Sequence, residues 1–172
     1  MRQPKWISSE RAERVRHFSI GAAPDAIFPL LCPVREYEWI PSWSCQMAWS
    51  ESGVAELNAI FHTRGPLRTR IVWTLVTYDP PRCVEYLLVA ARHMVVRLSI
   101  SLVPAPADTT EVTWKMLFTA TSSLGKKLLA SQFSEEKYGQ MIQDRQGELA
   151  LFLAGGARAT GSRAQPSRAG SH

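Results

Sequence analysis

The sequence predicts an α+β fold: one strand and a helical opening, six further strands in antiparallel succession, and a long closing helix laid across a curved sheet. Three observations carry this. Six strand-like segments follow one another between residues 44 and 121, separated by turn residues and by no helix, which is the pattern of a meander and excludes parallel crossover units. Within them apolar and polar residues alternate, so one face of the sheet is dry. Finally, Tyr138, Met141, Ile142, Leu149, Phe152 and Leu153 fall on one stripe at helical spacing.

The elements follow in order. Phe18 and Ile20 alternate with His17 and Ser19, as a first strand would. Ala23-Pro24-Asp25 then opens a helix, with proline in the first turn and a carboxylate near the positive helix end. Pro33 interrupts it before a second helical piece over 35–39, which Pro41 ends. The six strands are read at 44–51, 56–64, 68–78, 83–91, 94–103 and 110–121. Ser52-Gly53, Gly65-Pro66, Asp79-Pro80-Pro81, Arg92-His93 and the stretch 104–108 punctuate them. A short helix over 123–131 precedes a restart at Ser134, an N-cap followed by Glu135 and Glu136 in the first turn. Gly155-Gly156 is expected to stop the long helix, giving the order β-αα-β6-α.

Parity assigns Leu57, Ala59, Phe61, Ile71, Trp73, Leu75, Val84, Tyr86 and Leu88 to the dry face. Val96, Leu98, Ile100, Leu102, Val112, Trp114, Met116 and Phe118 join them. The other face holds His62, Arg64, Arg70, Glu85, Arg97, Ser99, Glu111 and Lys115. Once the sheet curls around the last helix, its apolar face is either a packed core or the wall of a cavity.

Composition bounds the functional classes. The 172 residues fit one domain, and 45% hydrophobic with 20% charged residues is ordinary for a globular chain. A net charge of +5 and a pI of about 9.4 suggest nucleic acid until the charge is located. Residues 1–16 carry five basic residues against two acids, a net +3, and residues 157–172 carry three arginines and no acid, another +3. The remaining residues carry 12 bases and 13 acids, a net −1, so a compact phosphate-gripping domain and specific nucleic-acid binding are excluded. The expected organisation is a basic N-terminal extension at 1–15, one domain at 16–154, and a disordered basic tail at 155–172. No apolar run approaches the roughly 18 residues of a transmembrane segment, and no apolar run follows the basic residues of the N-terminus as a secretory signal requires. Cys32, Cys45 and Cys83 are odd in number and widely spaced, which suggests reduced thiols in a cytoplasmic protein, with no metal site and no cofactor.

Catalytic signatures are sparse. No Ser/His/Asp set, HExxH, P-loop or GxGxxG occurs, and His17 and His62 fall on the polar parity of their strands. Among inward positions only Tyr86 is a proton donor of note, with Thr63 and Thr77 as lesser polar points. Glu36 or Glu38, on the short helical piece, would reach a pocket mouth or simply face solvent. Tyr86 and Glu38 are therefore the catalytic candidates. Trp39 and Trp43 would either stack on a flat ligand or anchor the helical piece to the sheet. Arg145 breaks the apolar stripe: at about 100° per residue from Tyr138 it lies near −20°, between Leu149 and Phe152. A guanidinium there needs an anion, either an internal carboxylate such as Glu36 or Glu38, or the carboxylate or enolic oxygen of a bound ligand.

The run from Phe18 to Leu31, with Pro24-Asp25-Ala26-Ile27-Phe28, is similar to the strand-then-Pro-x-x-Val-Phe opening of the START-like, or SRPBCC, superfamily. The segments 32–43, 50–56 and Tyr78-Asp79-Pro80-Pro81 resemble a bacterial subgroup of it. The resemblance covers about residues 15–154 and implies a helix-grip fold of the polyketide cyclase/dehydrase and lipid-transport type. It also implies a small hydrophobic or aromatic ligand, lipid or polyketide-like, held between the sheet and the last helix. The expected wall is Trp39, Trp43, Phe61, Trp73, Tyr86, Leu98, Trp114, Met116, Phe118 and Met141, with Arg145 as polar handle, in a monomer or homodimer. A cyclase or dehydratase activity and a protein-interaction module of the same fold are the alternatives that the resemblance leaves open.

Overall fold

The computed structural model describes residues 9–65 and 68–161. Its strands are β1 (Glu10–Ile20), β2 (Cys45–Trp49), β3 (Ile60–Arg64), β4 (Arg70–Asp79), β5 (Cys83–Ala90), β6 (Met94–Ala105) and β7 (Thr109–Ala120). They form one antiparallel sheet in the order β1-β7-β6-β5-β4-β3-β2. Helix α1 (Pro24–Ile27) continues as a 3₁₀ turn over Phe28–Leu31, and a second 3₁₀ turn spans Glu36–Glu38. Helices α2 (Ser123–Gln132) and α3 (Glu135–Gly161) follow the sheet. The predicted helix-grip order is therefore the observed one.

Alternation decides the inner face as expected. Val96, Leu98, Ile100 and Leu102 of β6, and Val112, Trp114, Met116 and Phe118 of β7, are all buried. On the outer face Glu85 gathers Thr77, Arg97 and Ser99 at 2.7, 2.6 and 2.5 Å. Burial alone would raise the Glu85 carboxyl, but these three donors outweigh it and lower its pKa to about 2. Thr77 reaches Glu85 because the β4–β5 register shifts between Leu75 and Thr77, which turns Thr77 away from the inward position that parity assigned it. Leu57 is also a correction: it is 53% exposed, because Asn58 takes a φ of 68° and the strand begins only at Ile60.

Three boundaries move. Strand β1 starts at Glu10, inside the stretch expected to be an N-terminal extension, and pairs with β7 along its whole length. Its polar side chains are compatible with an edge strand because partners meet them: Glu13 pairs with Lys115 at 3.0 Å, and Arg14 and Arg16 both reach Glu135 on α3. Part of the basic excess of residues 1–16 therefore fastens the sheet to the helix. Strand β3 is four residues shorter at its start than the sequence suggested. Helix α3 runs through Gly155 and Gly156, since a glycine weakens a helix interior by only about 1 kcal/mol and is not an obligatory stop. Residues 1–8 and 162–172, which contain the rest of the two basic ends, lie outside the described residues.

Ser134 begins α3 as expected, its hydroxyl accepting from the Lys137 amide and its carbonyl from that of Tyr138. Tyr138, Ile142 and Leu149 are each at most 2% exposed and form the line on which the helix meets the sheet. The Tyr138 hydroxyl donates to the Trp114 carbonyl at 2.9 Å, its ring meets Phe118 edge-on, and the Arg16 guanidinium lies 5.5 Å from its centroid. Helix and edge strand approach closely enough that a Cβ at Gly139 would come within 2.9 Å of Arg16 Nη2.

The tip between β5 and β6 is tied to the start of α2. Ser122 caps α2 by accepting from the Gly125 amide, and its hydroxyl lies 2.9 Å from His93 Nδ1. The His93 carbonyl accepts from the Thr121 amide at 2.9 Å. A Cβ at Gly125 would sit on that carbonyl oxygen, so only glycine fits. Cys32, Cys45 and Cys83 are free thiols. Among the described residues no helix is long and apolar enough to cross a membrane. Gly125→Ala is expected to cost about 2–4 kcal/mol, the range of a backbone clash with no room to relax. Urea unfolding checks it, and a loss below about 0.5 kcal/mol, the usual surface value, would show that the junction yields.

Candidate functional site

The inner face of a sheet this wide is not covered by α3 alone, and a cavity of about 250 Å³ remains at the end where the tips of β3–β4 and β5–β6 meet α2. Ile71 and Trp73 of β4, Leu88 of β5, Met94 and Val96 of β6, and Met116 and Phe118 of β7 form its floor. Leu128 and Phe133 close it from α2 and its C-cap, and Met141 from α3. Thr63, Arg64, Thr69 and His93 form its polar boundary. The lining is otherwise hydrocarbon, aromatic ring and thioether, a surface suited to an apolar guest.

Beneath one wall lies a layer of aromatic rings. Phe61 stacks on Trp73 with centroids 5.2 Å apart and planes 19° from parallel. Tyr86 and Trp43 each meet both of these rings at steep angles, with centroids 5.8–6.4 Å apart. The polar atoms of this layer have protein partners: Trp73 Nε1 donates to Thr63 Oγ1, Trp43 Nε1 to the Pro33 carbonyl and the Tyr86 hydroxyl to the Leu31 carbonyl. Such pairs fix ring orientation, so the Trp73 wall is held from behind.

Four of the expected wall residues, Trp73, Met116, Phe118 and Met141, meet at this cavity. Phe61, Tyr86 and Trp43 form the layer behind it. Trp39 lies elsewhere, 5% exposed, with Nε1 donating to the Leu30 carbonyl at 2.8 Å, so it anchors the helical opening. Leu98 and Trp114 are buried on the sheet outside the cavity lining, and Trp114 Nε1 has no hydrogen-bond partner among the described residues. Glu38 makes a two-pronged ion pair with Arg35, both contacts 2.8 Å, on the outer side of its turn. Arg145 does not line the cavity. Its guanidinium pairs with Glu148 one turn along α3, and it acts electrostatically on Glu36.

Glu36 is the carboxylate that the local geometry turns inward. On its turn it shares a side with Trp39 and Ile40, three and four residues on and both buried, whereas Tyr37 faces solvent. Desolvation by burial pushes its carboxyl up to about 8, with the nearby Arg145 charge pulling the other way. Tyr86 is pushed well above its ordinary value, first by burial and then by the neighbouring Glu36. Glu36 is thus linked electrostatically to Tyr86 on one side and to the part-exposed Arg145 on the other. The i, i+3, i+4 spacing of Glu36 with Trp39 and Ile40 was a sequence signal that favoured Glu36 over Glu38. His93 and Phe133 had no comparable signal, because a turn and a helix C-cap place them, and Leu128 is one apolar residue of the short helix α2. Among the described residues no group of three His, Cys, Asp or Glu side chains could hold a metal ion.

Solved structures resemble this one throughout the domain at low identity, which speaks to fold alone. An uncharacterised protein from Rhizobium leguminosarum aligns with a TM-score of 0.62 at 12% identity, covering 87% of this chain and 99% of its own. A protein from Arthrobacter aurescens gives 0.57 at 18%, covering 80% and 86%. Norcoclaurine synthase from Thalictrum flavum, a point mutant in complex with a transition-state analogue, gives 0.62 at 12%, covering 87% and 98%. No curated protein matches the chain in sequence. The family model described as polyketide cyclase/dehydrase and lipid transport matches residues 11–144. With most of the domain matched and its sheet wrapped on a closing helix, the chain belongs to that family.

Proposed function

We propose that the protein binds a hydrophobic or aromatic small molecule, lipid or polyketide-like, in the cavity between its sheet and its last two helices. The observation that carries this reading is the cavity itself: about 250 Å³ walled by Trp73, Met116, Phe118 and Met141 and bounded by few polar groups. Trp73 presents a flat surface to an aromatic guest, and the two methionines adapt to shape. In this reading the protein is a carrier or sensor in the cytoplasm, where its three thiols remain reduced.

A second reading, an enzyme of the cyclase or dehydratase type, is favoured by Glu36. A carboxyl with its pKa raised to about 8 is largely protonated at neutral pH and can both donate and accept a proton. Glu36, Tyr86 and Arg145 all lie outside the cavity lining, so this reading requires the reacting group of the substrate to reach past the ring layer to Glu36. Turnover abolished by Glu36→Gln or Tyr86→Phe with ligand binding intact would establish this reading. Binding without any turnover supports the carrier.

The binding reading is tested by filling the cavity from the helix side. Met141→Trp is expected to weaken binding of a fluorescent hydrophobic probe by about tenfold or more while the circular dichroism spectrum stays native. Undiminished probe affinity would place the binding site elsewhere. Glu36 supplies a second expectation. Its folded pKa exceeds its ordinary 4.5, so the stability it contributes is complete below pH 4.5 and is lost as pH rises through about 8. The free energy of unfolding should therefore decrease from pH 5 to pH 9 in the wild type and decrease less in Glu36→Gln, by about 1–3 kcal/mol at the alkaline end. Parallel pH profiles for the two proteins would show that Glu36 is solvated.

A further inference from the structure

On the far side of the β3–β4 tip from the apolar cavity lies a polar cleft of about 570 Å³. It is lined by Ser44, Gln46, His62, Arg64, Arg68 and Arg70, with Cys45 and Thr63, and no acidic residue contributes to it. Arg64 and Arg70 occupy directly opposed positions in the β3–β4 register, an arrangement that like charges disfavour. Among the described residues none of the three arginines has a carboxylate within ion-pair distance. Arg70 instead lies 2.7 Å from the His62 ring. Six other described arginines meet acids: Arg14 and Arg16 meet Glu135, Arg35 meets Glu38, Arg82 meets Asp79, Arg97 meets Glu85 and Arg145 meets Glu148, whereas Arg11 donates to Thr119. The cleft thus concentrates positive charge that the fold does not neutralise.

The cleft and the apolar cavity share two residues, Thr63 and Arg64. We infer that the two form one amphipathic site, in which the cavity holds the apolar body of a ligand and the arginines take its anionic end, a carboxylate or a phosphate monoester. This rests on the cavity being the binding site and adds the class of ligand. Guanidinium groups bind either anion through paired N–H donors. The opposed Arg64 and Arg70 are relieved when an anion lies between them, so the local repulsion in the free protein favours occupancy.

The test compares decanoate, decyl phosphate, decanol and inorganic phosphate by calorimetry, with the full chain at low salt. Wild type is expected to bind decanoate or decyl phosphate about tenfold or more tightly than decanol, and the advantage should shrink as salt screens the arginines. In the Arg68→Gln/Arg70→Gln variant, whose residues do not line the apolar cavity, that advantage should fall to about threefold or less. Decanol affinity and the thermal midpoint should be maintained. Decanol bound as tightly as the anions overturns the inference and leaves the cavity reading standing. So does inorganic phosphate bound as tightly as decyl phosphate, which would make the cleft an independent anion site. Failure of all three decyl compounds to bind overturns both readings.

Discussion

The structure depends on a mismatch of widths. Seven strands about 4.8 Å apart make a sheet roughly 30 Å across, whereas a helix with its side chains is about 10–12 Å wide. One face of that sheet is apolar along its length, so α3 covers only a strip of what must be kept from water. Curvature brings more of the face to the helix. The 3₁₀ segments with Trp39 and Ile40 cover one region, and α2 with Phe133 covers another. What remains uncovered, between the strand tips and α2, is the cavity. In this fold a cavity is what is left when a wide sheet is closed by few helices.

The places where the closure is fixed are accordingly specific. Tyr138 holds α3 on β7 through the Trp114 carbonyl while its ring contacts Phe118, and Arg14 and Arg16 fasten the edge strand to Glu135 on the same helix. At the other end Ser122, Gly125 and His93 join α2 to the β5–β6 tip. Between them the ring layer of Trp43, Phe61, Trp73 and Tyr86 keeps the sheet side of the cavity rigid. The walls are thus set by packing and hydrogen bonds that need no ligand, which lowers the ordering cost of binding.

The fold was legible in the sequence because its signals are periodic. Strand alternation over 83–120 and the helical stripe from Tyr138 to Phe152 both repeat many times, and each repeat reinforces the assignment. The departures lie where periodicity gives no information. Strand β1 is an edge whose polar side chains are satisfied by partners distant in sequence, Lys115 and Glu135. Thr77 changed face through a register shift that no residue type announces. At the site, parity identified inward residues but not which of them border empty space: Leu98 and Trp73 are both inward, and only Trp73 meets the cavity. For Arg145 the sequence pointed to Glu36, Glu38 or a ligand as the anion, whereas its ion-pair partner is Glu148, one turn along its own helix.

The central claim is that the space between sheet and helices holds a hydrophobic molecule, and native mass spectrometry tests it most directly. The account predicts that protein purified under gentle conditions, or incubated with medium-chain hydrophobic compounds, carries a stoichiometric small molecule that is lost in the Met141→Trp variant. A protein that remains at its bare mass in both circumstances would mean that the cavity is a packing defect and not a site.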